Sequence, residues 1–317
     1  MIKKIKTLAL VGVLSMGVVG CSSNSLKKED KAKITLVLST GGVNDQSFNQ
    51  SAWEGALEAK NEYGVEVSYL ESNSDADYVQ NIETAIDQDS DLVVGVGFQI
   101  GPAIEEASKA YPDQQFAIID STYEEIPSNV RPILFDEEQA GYLTGLIAGK
   151  TTESNVIGWI GGMDIPSCSN FYVGYEKGAK EVNPDVKALK QFTNSFTDAA
   201  KGKVVAQQMI NKNADIIFMA AGGGNMGVIE AIKEADNVKG IGVDMPMSYL
   251  AKDHIITSAL KNVGEGLKLT IKDYIEGNFG GGNEVKYDLI SGGVGYELTD
   301  LIPADVVEFV EGKMKSK

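Results

Sequence analysis

Short unbroken runs of aliphatic and β-branched residues recur along this chain. Each is followed by apolar residues at helical spacing. The first run, Ile34-Thr35-Leu36-Val37-Leu38, precedes Ala52, Trp53, Ala56 and Leu57, with the loop Thr40–Asn49 between them. The pattern then predicts strands at Val65–Leu70, Leu92–Gly97, Phe116–Ile119 and Val130–Phe135, and helices at Asp75–Asp87 and Ala103–Tyr111. It restarts with a helix at Glu137–Lys150. Strands at Val156–Ile160, Val186–Phe192, Ile216–Ala221, Val238–Val243 and Ile255–Leu260 then alternate with helices at Phe171–Val182, Ala199–Asn211 and Met226–Ala235. An amphipathic helix at Gly264–Ile275, a Gly-broken tail at Glu284–Tyr296 and a closing helix at Asp305–Met314 end the chain. Alternating strands and helices, with strands apolar at nearly every position, predict parallel sheets covered on both faces.

The repetition predicts an α/β protein of two doubly wound lobes facing one another across a ligand cleft. No Pro-, Gly- or Ser-rich linker separates the halves, so the hinge is expected to be strand segments crossing between them. Crossings near Asp136, Ser258 and Lys286 would give a first lobe of 34–136 plus about 258–285. The second would be 137–257 plus about 286–317.

The front end reads differently. Lys3, Lys4 and Lys6 precede an apolar run, Thr7–Val19, and then Gly20-Cys21, which is the layout of an export signal over 1–20. Val18-Val19-Gly20-Cys21 resembles the bacterial lipobox, which implies cleavage before Cys21 and a lipid on its sulfur. The polar stretch 21–33 reads as a flexible tether. Without Lys3, Lys4 and Lys6 the 28 basic residues fall to 25 against 45 acidic ones, a net charge of −20. That excludes the basic footprint of a nucleic-acid binder. With one histidine, His254, and Cys168 the only other thiol, neither a disulfide framework nor a Cys-His or zinc site is expected.

Candidate chemistry gathers at the carboxyl ends of the strands, where open α/β sheets bind ligands. Asp120, Asp244 and Lys261 each end a strand run. Two carboxylates and an ammonium suit either acid–base catalysis or recognition of a vicinal diol. No nucleophile with a partner base accompanies them, which favours recognition, so neither an enzyme nor a bound cofactor is expected. Phe48 and Phe196 lie in similar loops, Gln46-Ser47-Phe48-Asn49 and Asn194-Ser195-Phe196-Thr197, one in each half. They read either as two faces of a clamp on a flat ring or as core residues. Asp45 and Asn49 flank Phe48 as polar readers, with helix capping by Asp45 or Ser47 the plainer alternative. Gly222-Gly223-Gly224-Asn225-Met226-Gly227 matches a dinucleotide fingerprint, with Asp244 ending the next strand. The same glycines read equally as a close backbone approach to some other ligand, or as a tight turn. Trp53 and Trp159 read as packing, and Phe171 as a further cleft residue.

Taken together, Asn44-Asp45-Gln46-Ser47-Phe48-Asn49-Gln50, Gly141-Tyr142-Leu143-Thr144-Gly145, Ser195-Phe196-Thr197-Asp198, Gly222-Gly223-Gly224-Asn225, Gly242-Val243-Asp244 and Thr257-Ser258-Ala259-Leu260-Lys261-Asn262 make the chain resemble the basic membrane protein family of substrate-binding lipoproteins, most closely its purine nucleoside receptors. The resemblance runs from Leu36 to about Leu301. It implies a type I periplasmic-binding-protein fold and delivery of purine nucleosides to an ABC permease by a monomer lipid-anchored on the extracytoplasmic face of the cell membrane. It also implies stacking of the base by Phe48 and Phe196 and reading of its edge by Asp45 and Asn49. Asp120, Asp244, Lys261 and the backbone from Gly222 to Gly224 would hold the ribose. The chain departs from the family at Met245-Pro246-Met247 and at Ile165–Asn170. The same fold and hydroxyl readers would also suit a sugar or signalling-furanose binder, or a sensor partner of a membrane kinase. An exported dinucleotide enzyme is the remaining alternative.

Overall fold

Strand runs and helical faces condense as the hydrophobic pattern requires. The computed structural model describes residues 31–315; the export signal expected over 1–20, Cys21 and most of the expected tether lie outside them. The first half holds β1 (Lys33–Leu38), α1 (Phe48–Tyr63), β2 (Glu66–Leu70), α2 (Tyr78–Asp87), β3 (Leu92–Val96), α3 (Gly101–Ala110), β4 (Gln115–Ile119) and β5 (Val130–Phe135). The second holds α4 (Glu137–Thr151), β6 (Val156–Gly161), α5 (Pro166–Val182), β7 (Lys187–Phe192), α6 (Ala199–Ile210), β8 (Ile216–Ala220), α7 (Asn225–Glu234), β9 (Lys239–Asp244) and β10 (Ile255–Lys261). Last come α8 (Val263–Ile275), β11 (Val285–Tyr287), β12 (Val294–Tyr296) and α9 (Ala304–Lys315). The tether read over 21–33 stops short of Lys33, which opens β1 and donates its backbone N–H to Asp91. Helix α5 begins five residues earlier than its apolar spacing suggests, because Pro166 sits in its first turn, where a missing N–H costs nothing.

The strands form two six-stranded sheets, ordered β2-β1-β3-β4-β5-β11 and β7-β6-β8-β9-β10-β12. All neighbours are parallel except β12, which runs antiparallel to β10. The Gly-broken tail thus supplies one short edge strand to each lobe. Strands β3 and β8 are buried at every residue, as strands covered on both faces must be. One core runs through both lobes, and separate clusters fill the far face of each sheet, Tyr78, Ile82 and Ile104 on the first and Val205, Val228 and Ile232 on the second.

Three strands of chain join the lobes. The first passes through Asp136, between β5 and α4. The second leaves after Lys261 rather than near Ser258, because β10 stays paired with β9 to Leu260 and with β12 to Lys261. The third leaves after Tyr287, since Lys286 is paired inside the first sheet. Helix α8 then packs on α1 through glycines: a Cβ on Gly55 would lie 2.2 Å from the Gly264 carbonyl oxygen. Helices α4 and α5 meet in the same way, Gly141 and Gly145 against the backbone of Phe171 and Tyr175. That close approach places the first turn of α4 and the side of α5 bearing Phe171 at the cleft.

Candidate functional site

The duplicated halves carry duplicated backbone irregularities at their strand ends. Asp120, just beyond β4, and Asp244, ending β9, both adopt left-handed backbone at φ 63° and 64°. Gln46 and Asn194, before the two phenylalanines, do the same at φ 57° and 55°. Left-handed backbone in a non-glycine residue costs about 1 kcal/mol or more, so its repetition at equivalent points marks positions held by their surroundings.

These ends enclose one cavity between the lobes, with about 90 Å³ open to the centres of water-sized spheres. One water needs roughly 10–15 Å³ by that measure, so the space suits a small organic ligand. Asp45, Phe48, Asn49, Asp120, Phe196, Gly222, Asp244 and Lys261 all line it. Gly224 does not: it turns toward Ala221 and Asp198 at the start of α7. At Gly222, with φ 55°, a Cβ would lie 2.8 Å from the Phe196 carbonyl oxygen, so this residue lets the glycine loop close on Phe196. Phe98 and Phe171 also line the cavity, Phe98 meeting Phe196 edge-on with centroids 6.5 Å apart. Cys168 lines it too, its thiol donating to the Ala220 carbonyl and pushed up to about 11 by burial.

Lys261 is the electrostatic centre. It is 2% exposed and paired with Asp120 Oδ2 and, at 3.1 Å, with Glu137 Oε1. Burial alone would lower its pKa; the carboxylates of Asp120, Glu137 and Asp244 outweigh that and hold it raised. Its ammonium also lies 5.3 Å from the centroid of Phe48 and 5.4 Å from that of Phe135. Asp120 Oδ1 is buried with no hydrogen-bond partner, which leaves an acceptor at the cavity wall. Glu137 is raised by burial, against the opposing pull of Lys261. Asp244 is pushed up to about 6, mainly by burial and partly by Asp120 and Asp45. Its Oδ2 accepts from Ser47 Oγ of the other lobe at 2.5 Å.

Asp45 and Asn49 are committed differently. The Asp45 carboxylate accepts the backbone N–H groups of Ser47, Asn49 and Gln50, which caps α1. Asn49 exchanges hydrogen bonds with Ser39, leaving part of its amide unengaged. Glu137 was not legible as a site residue, since a glutamate in a first helical turn is ordinary on a sequence. Phe98 was signalled only by its place after Gly97 at a strand end.

Against this geometry stand the comparisons. A family model described as ABC transporter substrate-binding protein PnrA-like matches residues 32–317. The chain belongs to that family. A PnrA-like protein is the substrate-binding component of an ABC transporter and not an enzyme, so this one works outside the cytoplasm with a small-molecule ligand and a membrane permease. Among relatives, the ABC transporter nucleoside-binding protein BmpA of Lactococcus lactis is 35% identical, with 98% of each chain covered. Basic membrane protein A of Borreliella burgdorferi is 36% identical, over 92% of this chain and 86% of that protein. An ABC transporter solute-binding protein from Aeropyrum pernix has a TM-score of 0.77 and 30% identity, with 90% of this chain and 86% of that one covered. The type I periplasmic-binding-protein fold is shared with such solute-binding proteins, including one solved with bound D-allose at TM-score 0.68 and 17% identity. Among the described residues of this PnrA-like protein, no helix is long and apolar enough to cross a membrane.

Proposed function

We propose that the ligand is a purine nucleoside such as guanosine, adenosine or inosine, and that the protein is a monomer held by a lipid on Cys21 at the outer face of the cell membrane. The observation that carries this reading is the pairing, in one cavity, of an aromatic ring from each lobe, Phe48 and Phe196, with the strand-end carboxylates Asp120 and Asp244. Phe48 and Phe196 stack on the base, each contributing about 1–3 kcal/mol. Asp120 Oδ1 and Asp244 accept ribose hydroxyls, and the ion pair of Lys261 with Asp120 Oδ2 orients the Asp120 carboxylate so that Oδ1 faces the ligand. Asn49 offers its remaining amide group to the base edge. The Asp45 oxygens already hold three backbone N–H groups, so Asp45 contributes by shaping the loop and through whatever lone pair the base edge can reach. The lobes, 31–136 with the α8–β11 return and 137–261 with the tail, close on the ligand and present the closed face to the permease.

A thermal-shift screen against nucleosides, bases, nucleotides and pentoses tests the ligand class. Purine nucleosides are expected to raise Tm and free ribose to leave it unmoved; ribose acting as strongly as guanosine rejects the stacking role. Loss of radiolabelled nucleoside uptake on gene deletion separates a transport receptor from a sensor. Failure of a Cys21→Ser chain to incorporate labelled fatty acid tests the anchor.

A further inference from the structure

The loop before α1 does something that its counterpart in the second half does not. In the second half Ser195 is used locally, its Oγ accepting the backbone N–H groups of Thr197 and Asp198. Asp198 then caps α6 through Lys201 N. In the first half Ser47 occupies the N-cap position of α1, where serine ordinarily caps its own helix. Asp45 performs the capping instead, and the Ser47 hydroxyl is turned out of its lobe to Asp244, 197 residues away. The neighbouring Gln46, in left-handed backbone, makes a second cross-lobe contact: Tyr249 donates its hydroxyl to Gln46 Oε1 at 2.6 Å.

Both sides of these contacts are built in advance. On the first lobe Gln46 is braced by Gln50, and Gln50 by Glu54. On the second lobe Glu297 accepts from Met247 N, Ser248 N and the hydroxyls of Ser248 and Ser258. Met247 is buried, with its sulfur against Val243 N. These bonds pin the segment after Asp244, including the unusual Met245-Pro246-Met247, so that Tyr249 stands at the cleft.

We propose that Gln46 and Ser47 form a clasp with Tyr249 and Asp244 that holds the cleft shut, with Ser47 the positioning residue that ties closure to a carboxylate facing the ligand. The proposal rests on the nucleoside reading only for the identity of the ligand, because both contacts join protein to protein. The clasp therefore sustains a closed population without ligand and slows ligand escape once the cleft is filled. The loop's two roles are separate: Phe48 faces the ligand, and the residues just before it face the other lobe.

The test places dyes, through unnatural amino acids, at the exposed Glu106 and Lys233, one on each lobe of the full chain in detergent micelles, and reads the lobe separation by single-molecule energy transfer. Without ligand, wild type is expected to show a closed population that Ser47→Ala and Tyr249→Phe each diminish and Ser47→Thr retains. With guanosine, Ser47→Ala is expected to speed dissociation roughly tenfold, as the loss of one bond to a charged acceptor implies, with little change in association. Tyr249→Phe, at the exposed contact, should speed it a few-fold. The clasp is overturned if wild type has no closed population without ligand, or if Ser47→Ala weakens guanosine binding without altering lobe closure, which would make Ser47 a ligand contact only. Guanosine failing to bind wild type rejects the nucleoside reading instead, and the ligand-free arm still decides the clasp.

Discussion

Asp244→Asn should make the ligand-free protein more stable at neutral pH. Asp244 is 9% exposed, and its pKa of about 6 stands against an ordinary value of 3.8. A difference of roughly two units, at about 1.4 kcal/mol each, means that keeping this carboxylate ionised in the fold costs about 3 kcal/mol at pH 7.5. Asparagine retains an acceptor for Ser47 Oγ, and the charge assistance lost with that bond is already contained in the shifted pKa. A gain of roughly 3 kcal/mol therefore follows, or several degrees in Tm. The sign follows from linkage. A carboxyl raised by folding favours the folded state at low pH, and that contribution is lost as pH rises through about 6. Thermal unfolding at pH 7.5 and 4.5 should therefore show the variant well ahead at the higher pH and by only about 1 kcal/mol at the lower, which still lies above the ordinary value of 3.8. A variant less stable at pH 7.5, or an advantage that does not change with pH, would mean that folding does not raise the Asp244 carboxyl. If Asp244 accepts ribose hydroxyls as proposed, wild-type affinity for a nucleoside should fall as pH drops below about 6.

Lys261→Met leaves Asp120 and Glu137 buried without their cation, and removing one partner of a buried ion pair costs about 3–5 kcal/mol. Denaturant unfolding should show that loss at pH 7.5 and a smaller one in acid, where Glu137, raised by burial, takes up a proton; equal stability to wild type contradicts the pairing. Phe48→Ala and Phe196→Ala should each weaken guanosine binding by about 1–3 kcal/mol in calorimetry, and unchanged affinity in either removes that ring from the clamp. Gly55→Ala forces a methyl against the Gly264 backbone and should lower Tm by separating α1 from α8, at about 1–3 kcal/mol or more; an unaffected melt would mean the helices yield freely.

The lobes were legible because both sheets are buried on two faces, which leaves apolar runs that alternation with helices orders into parallel strands. That Phe48 and Phe196 would come to one cavity was legible because Ser-Phe recurs before a helix in each half. What escaped depends on chain distant in sequence. Glu137 matters because folding brings Lys261 to it from β10, and the Ser47 hydroxyl finds its acceptor in the other lobe. The second crossing lies beyond Ser258 because β10 stays paired with β9 to Leu260 and with β12 to Lys261, a pairing that the polar Thr257-Ser258 does not announce. Of two similar glycines, Gly222 faces the cavity and Gly224 the helix start, a distinction made by φ and invisible in the letters.

Calorimetric titration of the full chain in detergent with guanosine and, in parallel, with free ribose shows whether one nucleoside is held between two rings and two carboxylates. One guanosine per chain should bind saturably, and ribose should give no measurable heat. Ribose binding as tightly as guanosine, or guanosine not binding at all, would mean that the rings do not hold a base.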